Sequence, residues 1–358
     1  MRWNRKRVLP ELCGELLQAV QNRDGSAFSA TYQAVVEQAA VADRAELTAA
    51  LRVITPGLAD VRLGPGAPVA VLAGGLVERG AEPAVALDTL VSRIAGGLED
   101  AARFPALWDK VGDGAALPAA ADADRVPAVL DRLHAGAHPD GSQPADAGRI
   151  AEAWFTVGDW VPALLVLLQR ADVRQSLPHR HRLVDAAAAT LDHIDPAQWM
   201  YGLLQVLDDE SVIVLHRATG RGYRVTIGGI GDNFQLHTLL AATLIGDPDQ
   251  GLIPGTPPQP AWVAAATDGE MEPPGGITGQ FNLVDAFGSW IWNEGRPADI
   301  PTLQGKRVVV VDPPPYPRTW NAGRVYPLMR PTVTLDEVLE PARAAEWMAR
   351  VAPAAQPG

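Results

Sequence analysis

The chain has 358 residues, a formal net charge of −12 and 47% hydrophobic residues, an ordinary globular composition that suits two domains. An acidic surface of this strength argues against a nucleic-acid partner, because phosphates require a basic face. The single cysteine, Cys13, excludes an intramolecular disulfide and a zinc site built from cysteines. No stretch of about 18 uninterrupted apolar residues occurs, so we expect no membrane span.

The distribution of basic residues bears on origin and compartment. Lysine occurs only at Lys6, Lys110 and Lys306, and this preference for arginine is typical of a high-GC bacterial genome. The short basic start, MRWNRKR, is not followed by an apolar segment, because Glu11 and Glu15 interrupt it. We therefore predict a cytoplasmic protein without a signal peptide, whose partner is a small molecule, a peptide or another protein.

Apolar residues at helical spacing dominate the first half of the chain. The third helix is predicted to end before Pro56, and the fourth to begin at Pro68, where proline suits a first turn. No repeat of fixed period is visible, so the pattern predicts an irregular helical domain over residues 1–207. The other predicted helices cover residues 9–22, 27–42, 83–104, 126–135, 145–170, 171–191 and 196–207, with loops at 112–124 and 136–144.

The middle of this run, WFTVGDWVPALLVLLQ at residues 154–169, is apolar on nearly all sides. A helix with this composition belongs in a protein interior. Gly158 and Pro162 are expected to bend it, since both residue types are found at helix kinks.

The pattern changes after Asp208. Residues 211–217 and 223–230 predict two strands of a hairpin, with Tyr223, Val225 and Ile227 on one face. Residues 234–245 predict a helix that Asp232 or Asn233 caps. Residues 208–351 are therefore predicted to form a mixed domain, and the whole chain an α+β fold.

Beyond this helix, the sequence predicts long loops rich in proline and glycine. Residues 247–305 read as one such loop with a short helix near 259–267, and a loop of this length is often functional. A strand follows at 306–311, and an extended segment at 312–317. Thr334 and Glu337 resemble a capping box that opens the last helix, and residues 352–358 read as a frayed tail.

Two histidines and one aspartate of the hairpin–helix segment are the leading candidates for catalysis. His216 ends the first strand, Asp232 precedes the helix, and His237 lies on it. Two imidazoles and a carboxylate suit a divalent iron or a general acid–base group, so these residues are also the candidate metal ligands. The alternative is structural, with Asp232 as a helix cap and both histidines as packing residues. The sequence leaves the identity of any cofactor unknown.

The glycine-rich turn between the second strand and the helix, Gly228-Gly229-Ile230-Gly231, has two readings. Backbone N–H groups at the start of a helix can hold an anion such as a phosphate. The turn lacks the full G-x-G-x-x-G spacing of dinucleotide-binding proteins, and Asp232 places negative charge where a phosphate would lie. A structural role for the glycines is the simpler interpretation.

Aromatic and arginine side chains are concentrated between residues 281 and 324. Aromatic surfaces beside arginine suit the recognition of a peptide or small molecule, but the same residues also serve to cover a core. Two tryptophans two positions apart would point the same way in a strand. The candidate binding residues are Trp290, Trp292, Arg296, Tyr316, Arg318 and Trp320.

Two functional hypotheses of different classes follow. The first is an enzyme or substrate-binding protein of bacterial specialised metabolism, with a site between the helical domain and the hairpin–helix unit under the 247–300 loop. The second is a non-catalytic interaction module, in which the helical half is a scaffold and the Trp/Pro-rich segment docks a partner. No serine-hydrolase elbow or P-loop is present to name a reaction.

Overall fold

A computed structural model describes residues 8–135, 144–269, 273 and 275–355. The chain divides into two compact units, Met1–Leu204 and Gln205–Gly358, close to the predicted boundary at residue 208. The first unit is helical and the second is mixed, which confirms the predicted α+β class. The basic start and the loop at 136–143 lie outside the described residues.

The helical unit contains α1 to α12, and most of its elements begin with a recognisable signal. Asp24 and Asp43 cap α2 and α3, since their carboxylates accept hydrogen bonds from Ala27 N (3.0 Å) and Glu46 N (2.9 Å). The helices are α1 Leu9–Gln21, α2 Gly25–Ala39, α3 Arg44–Asp60, α4 Leu63–Glu78, α5 Leu87–Ala102, α6 Phe104–Val111, α7 Val126–Ala135, α8 Pro144–Thr156, α9 Val161–Leu168, α10 Ala171–Gln175, α11 Arg180–Ala188 and α12 Asp195–Leu204.

Two prolines lie inside helices, although the sequence predicts a helix end before Pro56 and a helix start at Pro68. Helix α3 continues past Pro56 to Asp60, and α4 begins before Pro68. A proline in a helix removes one hydrogen bond and costs about 3 kcal/mol. Helix α3 continues past Pro56 because Leu58, like Ile54 before it, is fully buried, so tertiary packing offsets the local preference.

The apolar run bends where glycine and proline predicted it. Helices α8 and α9 are separated by a 3₁₀ turn at Val157–Asp159 and meet at 44°. Trp160 is fully buried and its indole N–H donates to Leu63 O at 2.7 Å. Among the described residues no single helix is long and apolar enough to cross a membrane, and only this bent pair has the combined length and composition.

The predicted helix at 171–191 is two helices, α10 and α11. Between them lies Pro178, followed by His179 in the left-handed conformation with φ 51°. Proline removes the backbone donor that a continuous helix would need, and a left-handed residue turns the chain away from the helix axis.

Helix α4 packs closely on α9 through a glycine, and this contact yields a matched stability test. A Cβ at Gly74 would lie 2.8 Å from Ala163 Cα, whereas a Cβ at Gly75 meets nothing within 4 Å. We expect Gly74→Ala to destabilise the protein by about 1–3 kcal/mol through overpacking. Gly75→Ala should stabilise it by up to about 1 kcal/mol through helix propensity. Urea unfolding of both variants measures the difference, and equal effects would contradict the close packing.

The mixed unit is built on one sheet with the order β4-β6-β1-β2-β8, in which β5 pairs with β6. Strands β1 and β2 form the predicted antiparallel hairpin, and β6 lies parallel to β1. A separate two-stranded sheet joins β3 to β7. The elements are β1 Glu210–His216, β2 Arg221–Gly228, α13 Asn233–Leu244, α14 Pro260–Thr267, β3 Ile277–Thr278, β4 Asn282–Asp285, β5 Thr302–Leu303, β6 Lys306–Asp312, β7 Thr319–Trp320, β8 Thr332–Val338 and α15 Pro341–Met348.

Both faces of the sheet are covered, and the side chains of its central strands alternate between them. Val212 and Val214 of β1 pack in one cluster with Leu240 of α13. Ile213 and Leu215 pack in the other, which includes residues of α15. This burial on both faces explains why the central strands read as continuous apolar runs.

The predicted capping box at Thr334 and Glu337 is wrong, because both residues lie in β8. This strand pairs with β2 antiparallel, and Arg224 of β2 forms an ion pair with Glu337 at 3.2 Å. The segment TVTLDEV is rich in β-branched residues, which suit a strand, and its exposure alternates as expected at a sheet edge. The last helix begins only at Pro341, a favourable first-turn position.

The supposed long loop at 247–305 also contains strands. Strand β4 forms the edge of the main sheet, and Ile291 N donates to Leu283 O at 2.9 Å, so the chain folds back on it. The tail is not wholly free, because Ala352 N donates to Ala286 O at 2.9 Å and Ala355 N to Gly288 O at 2.8 Å. Residues 356–358 lie outside the described residues.

Candidate functional site

Helix α13 begins with all of its first backbone donors occupied. Asp232 Oδ1 accepts from Gln235 N at 2.8 Å, as the sequence predicted for a cap. Asn233 N donates to Gly295 O at 2.8 Å, and Phe234 N to Asn293 O at 3.0 Å. This helix terminus therefore presents no free N–H group from its first three residues to an anion.

The glycine-rich turn before α13 is likewise occupied by contacts within the protein. Gly229, at φ 65°, donates its N–H to Leu207 O at 3.0 Å, and Gly231 N donates to Gln235 Oε1 at 2.8 Å. The Gln235 amide also donates to Ala266 O at 2.6 Å, which joins the turn to α14. The structural interpretation of these glycines fits this arrangement better than a phosphate cradle.

A pocket of about 180 Å³ lies beside the start of α13, and residues of the mixed unit line it. The charged residues of its lining are Asp232 and Arg324. Its wall also includes the aromatic rings of Phe234 and Trp320, whose centroids are 5.5 Å apart. The segment 320–325, rather than the predicted 247–300 loop, forms its second side. The lining residues are Asp232, Phe234, Gln235, Thr238, Trp320, Asn321, Ala322, Gly323, Arg324 and Val325.

Burial raises the pKa of Asp232 to about 6, from an ordinary value of 3.8. The N–H groups of Gln235 and Phe234 favour the charged carboxylate and oppose this rise, while the negative charge of Glu294 adds to it. No ion pair compensates the carboxylate within the described residues. Asp232 therefore changes protonation near neutral pH, which is where a general acid or base works best.

Arg324 belongs to the 320–325 segment of the pocket wall and makes one hydrogen bond to the backbone. Its Nη2 donates to Gly269 O at 3.1 Å, while its Nε is buried without a hydrogen-bond partner. Within the described part of the chain it forms no ion pair. A second pocket-lining residue, Trp320, also has a buried N–H donor, Nε1, without a partner.

His237 is fully buried and lies behind the pocket wall. Its Nε2 accepts a hydrogen bond from Phe281 N at 3.1 Å, so Nδ1 carries the proton of the neutral ring. Burial, together with the charge of Arg318, lowers its pKa to about 3. Trp320 packs edge-on against this imidazole with ring centroids 4.8 Å apart. The histidine supports the wall of the pocket without lining it.

His216 lies at the end of β1, where its Nδ1 is 2.8 Å from Thr219 Oγ1. Burial lowers its pKa, partly opposed by the charge of Asp312. Its ring contacts Phe281, which also contacts His237. Among the described residues no three His, Cys, Asp or Glu side chains are grouped closely enough to hold a metal ion. The placement of His216, Asp232 and His237 therefore does not provide the metal-binding group considered from the sequence.

Some of the predicted aromatic and arginine residues form hydrogen bonds within the protein, and others are exposed to solvent. Trp290, half-buried, donates its indole N–H to Ala355 O at 3.1 Å, and Arg318 Nη2 contacts Asn282 Oδ1 at 3.2 Å. Trp292 and Tyr316 are 74% and 52% exposed, respectively. The two tryptophans do not share a strand, because Trp292 lies in the turn that follows the β4 hairpin.

The other members of the predicted binding set have structural partners or belong to the pocket. Arg296 pairs with Asp299 at 3.2 Å, and Trp320 lines the pocket. Arg324 and Thr238 were not predicted as site residues, although the cluster of arginines near residue 320 was visible in the sequence. The signal that selects Arg324 is its place in the lining of the same pocket as Asp232, which no local sequence pattern contains.

The helical unit has a larger cavity, of about 740 Å³, between α1, α2, α3 and α4. Its lining includes the apolar residues Leu17, Phe28 and Val53 and the charged residues Asp60 and Arg62. The walls of this cavity are mostly apolar, so the pocket of the mixed unit is the better candidate for a site that acts on polar groups.

Searches of protein-family models, of curated proteins and of solved structures find no match to this chain. The pocket and its side chains are therefore the features that indicate a function.

Proposed function

We propose that the mixed unit binds a small polar molecule in the pocket beside α13, as a substrate-binding or catalytic site. Asp232 is the group that recognises this molecule or exchanges a proton with it. The observation that carries the proposal is a half-buried carboxylate that lines a pocket and has a pKa of about 6. Strongly shifted groups in clefts are typical of functional sites.

A purely structural role does not account for this aspartate. Asparagine caps a helix about as well as aspartate and carries no charge to bury. The charge of Asp232 therefore destabilises the folded protein without improving the cap. Residues that oppose stability in this way are characteristic of sites selected for function.

The non-catalytic interaction module is supported by a different observation. Trp292, Phe287 and Tyr316 are 74%, 55% and 52% exposed, although large aromatic side chains are usually buried. Docking of a partner protein on these residues would not require a small molecule in the pocket. The two functions therefore differ in whether a small molecule binds beside Asp232.

A fragment screen on the full chain tests the proposal. Small polar fragments are screened by ligand-observed NMR against the wild type and against Asn321→Trp, which places a large side chain on an exposed lining position. We expect a set of fragments that bind the wild type and lose binding in the variant. Asn22→Trp, at an exposed position after α1, is the matched control and should retain binding.

Fragments that bind all three proteins equally would contradict a site in this pocket. The absence of any fragment bound to the wild type would favour the interaction module over the binding site. Hydrogen-exchange protection of α13 on addition of a fragment places the binding independently of the substitution.

A further inference from the structure

The two charged groups of the pocket have no ionic partners in the protein. Asp232 and Arg324 line the same pocket, but neither forms an ion pair with any described residue. No ion pair joins them to each other either. Buried or half-buried charges normally have partners, because desolvation without compensation is unfavourable. The pocket is therefore complementary to a molecule that carries one charge of each sign.

The Arg324 side of the pocket suits an anionic group. Nε of Arg324 and Nε1 of Trp320 are buried N–H donors without acceptors, and leaving such a donor unpaired costs about 1–3 kcal/mol. The contact of Arg324 Nη2 with Gly269 O restrains the guanidinium. A planar guanidinium matches the two oxygens of a carboxylate.

The Asp232 side of the pocket suits a cationic group. Its carboxylate uses Oδ1 for the Gln235 N–H and retains further acceptor capacity. Thr238 donates its hydroxyl hydrogen to Phe234 O at 3.0 Å, which leaves the lone pairs of this oxygen as acceptors. The aromatic rings of Phe234 and Trp320 also favour a nearby ammonium through their negative faces.

The size of the pocket limits the molecule. Its volume of about 180 Å³ is close to the roughly 150 Å³ of a cavity in another protein that binds benzene. A nucleotide or a folded peptide is too large for this space. We propose that the ligand is a small zwitterion of the amino-acid type, with its ammonium on Asp232 and its carboxylate on Arg324. This inference rests on the proposed binding function of the same pocket.

Calorimetric titration with three matched probe classes tests the assignment. The probes are free α-amino acids, their N-acetyl derivatives, which lack the ammonium, and their amides, which lack the carboxylate. For at least one amino acid we expect binding that weakens about tenfold or more, equivalent to about 1.4 kcal/mol, when either charge is removed.

Two variants assign each charge to its partner. Asp232→Asn should weaken binding of the free amino acid. The variant should then bind the free amino acid no more tightly than its N-acetyl derivative. Arg324→Gln should bind the free amino acid no more tightly than its amide. Arg52→Gln, at an exposed position of α3, and Asp43→Asn, an exposed helix cap, are the controls and should change neither ratio.

The possible outcomes separate this inference from the proposed function. If no amino acid binds while other fragments still bind in an Asn321-dependent manner, the zwitterion assignment is wrong and the pocket function stands. Equal binding of the free, acetylated and amidated probes also overturns the assignment. If neither amino acids nor fragments bind in an Asn321-dependent manner, both proposals fail.

Discussion

Asp232→Asn raises the free energy of unfolding of the mixed unit at pH 8 by up to about 3 kcal/mol. This figure corresponds to the difference between the ordinary pKa of 3.8 and the folded-state pKa of about 6. Because burial raises the pKa of the carboxyl group, the protein is most stable with Asp232 protonated and loses stability as the pH rises from about 4 through 6. Asparagine stays neutral and retains the cap, so it avoids this loss.

The gain is therefore expected to depend on pH. It should be largest above pH 7, small near pH 4 and absent below about pH 3, where the wild-type carboxyl is protonated in both states. Hydrogen-exchange mass spectrometry of α13 peptides across a urea series measures the stability of this unit at each pH. Asp43→Asn is the matched control, because it makes the same substitution at a cap of the helical unit and should leave the stability of α13 unchanged at every pH.

A gain of the same size at pH 4 and pH 8 would mean that charge burial is not its cause. A loss of stability at pH 8 would mean that the charged carboxylate has a partner that stabilises it. Either result would remove the argument that Asp232 is kept for function.

His237→Gln removes a large part of the acid sensitivity of the same unit. Burial lowers the folded-state pKa of His237 to about 3, below the ordinary value of 6.5. The unfolded chain therefore takes up a proton below about pH 6.5 that the folded protein does not accept. The wild type should lose about 3 kcal/mol from this group between pH 7 and pH 4, and the variant should not.

The substitution also has a cost at neutral pH. The imidazole accepts the Phe281 N–H and packs against Trp320, and a glutamine reproduces the acceptor but not the ring. We expect the variant to be less stable than the wild type at pH 7 by about 1–3 kcal/mol. The same urea and hydrogen-exchange measurement at pH 7 and pH 4 separates this pH-independent loss of unfolding free energy from the loss that depends on pH.

His181→Gln is the control for this experiment. His181 is exposed on α11 in the helical unit, so its replacement should leave the acid sensitivity of α13 unchanged. Parallel stability–pH curves for the wild type and His237→Gln would contradict a neutral, buried imidazole. They would reopen the assignment of His237 as an acid–base group, which requires a protonation change near neutral pH.

Local signals were sufficient for the elements that build the site. The hairpin of β1 and β2, the start of α13 at Asp232 and the strand β6 were all predicted, because each has its turn, cap or apolar pattern within a few residues. The bend between α8 and α9 at Gly158 was predicted for the same reason. Asp232 was consequently recognised both as a cap and as a candidate functional carboxylate.

Other local signals were overruled by tertiary contacts. Thr334 and Glu337 have the spacing of a capping box, yet pairing with β2 places them in a strand. Pro56 has the character of a helix end, yet burial of Leu58 holds the last turn of α3 together. In each case a non-local contact contributes more free energy than the short-range preference, which is worth about 1 kcal/mol for a cap and about 3 kcal/mol for a proline.

The amino-acid sequence by itself determined the α+β class, the change from helices to strands near residue 208, and the position of Asp232 as a candidate cap of α13. Only the tertiary structure decided that Arg324, which is far from Asp232 along the chain, lines the same pocket, and that His237 lies behind Trp320. The reason is physical. Caps and periodicity act within one or two turns of chain, whereas a pocket is formed by segments that meet only when the sheet, α13 and the 320–325 segment pack together.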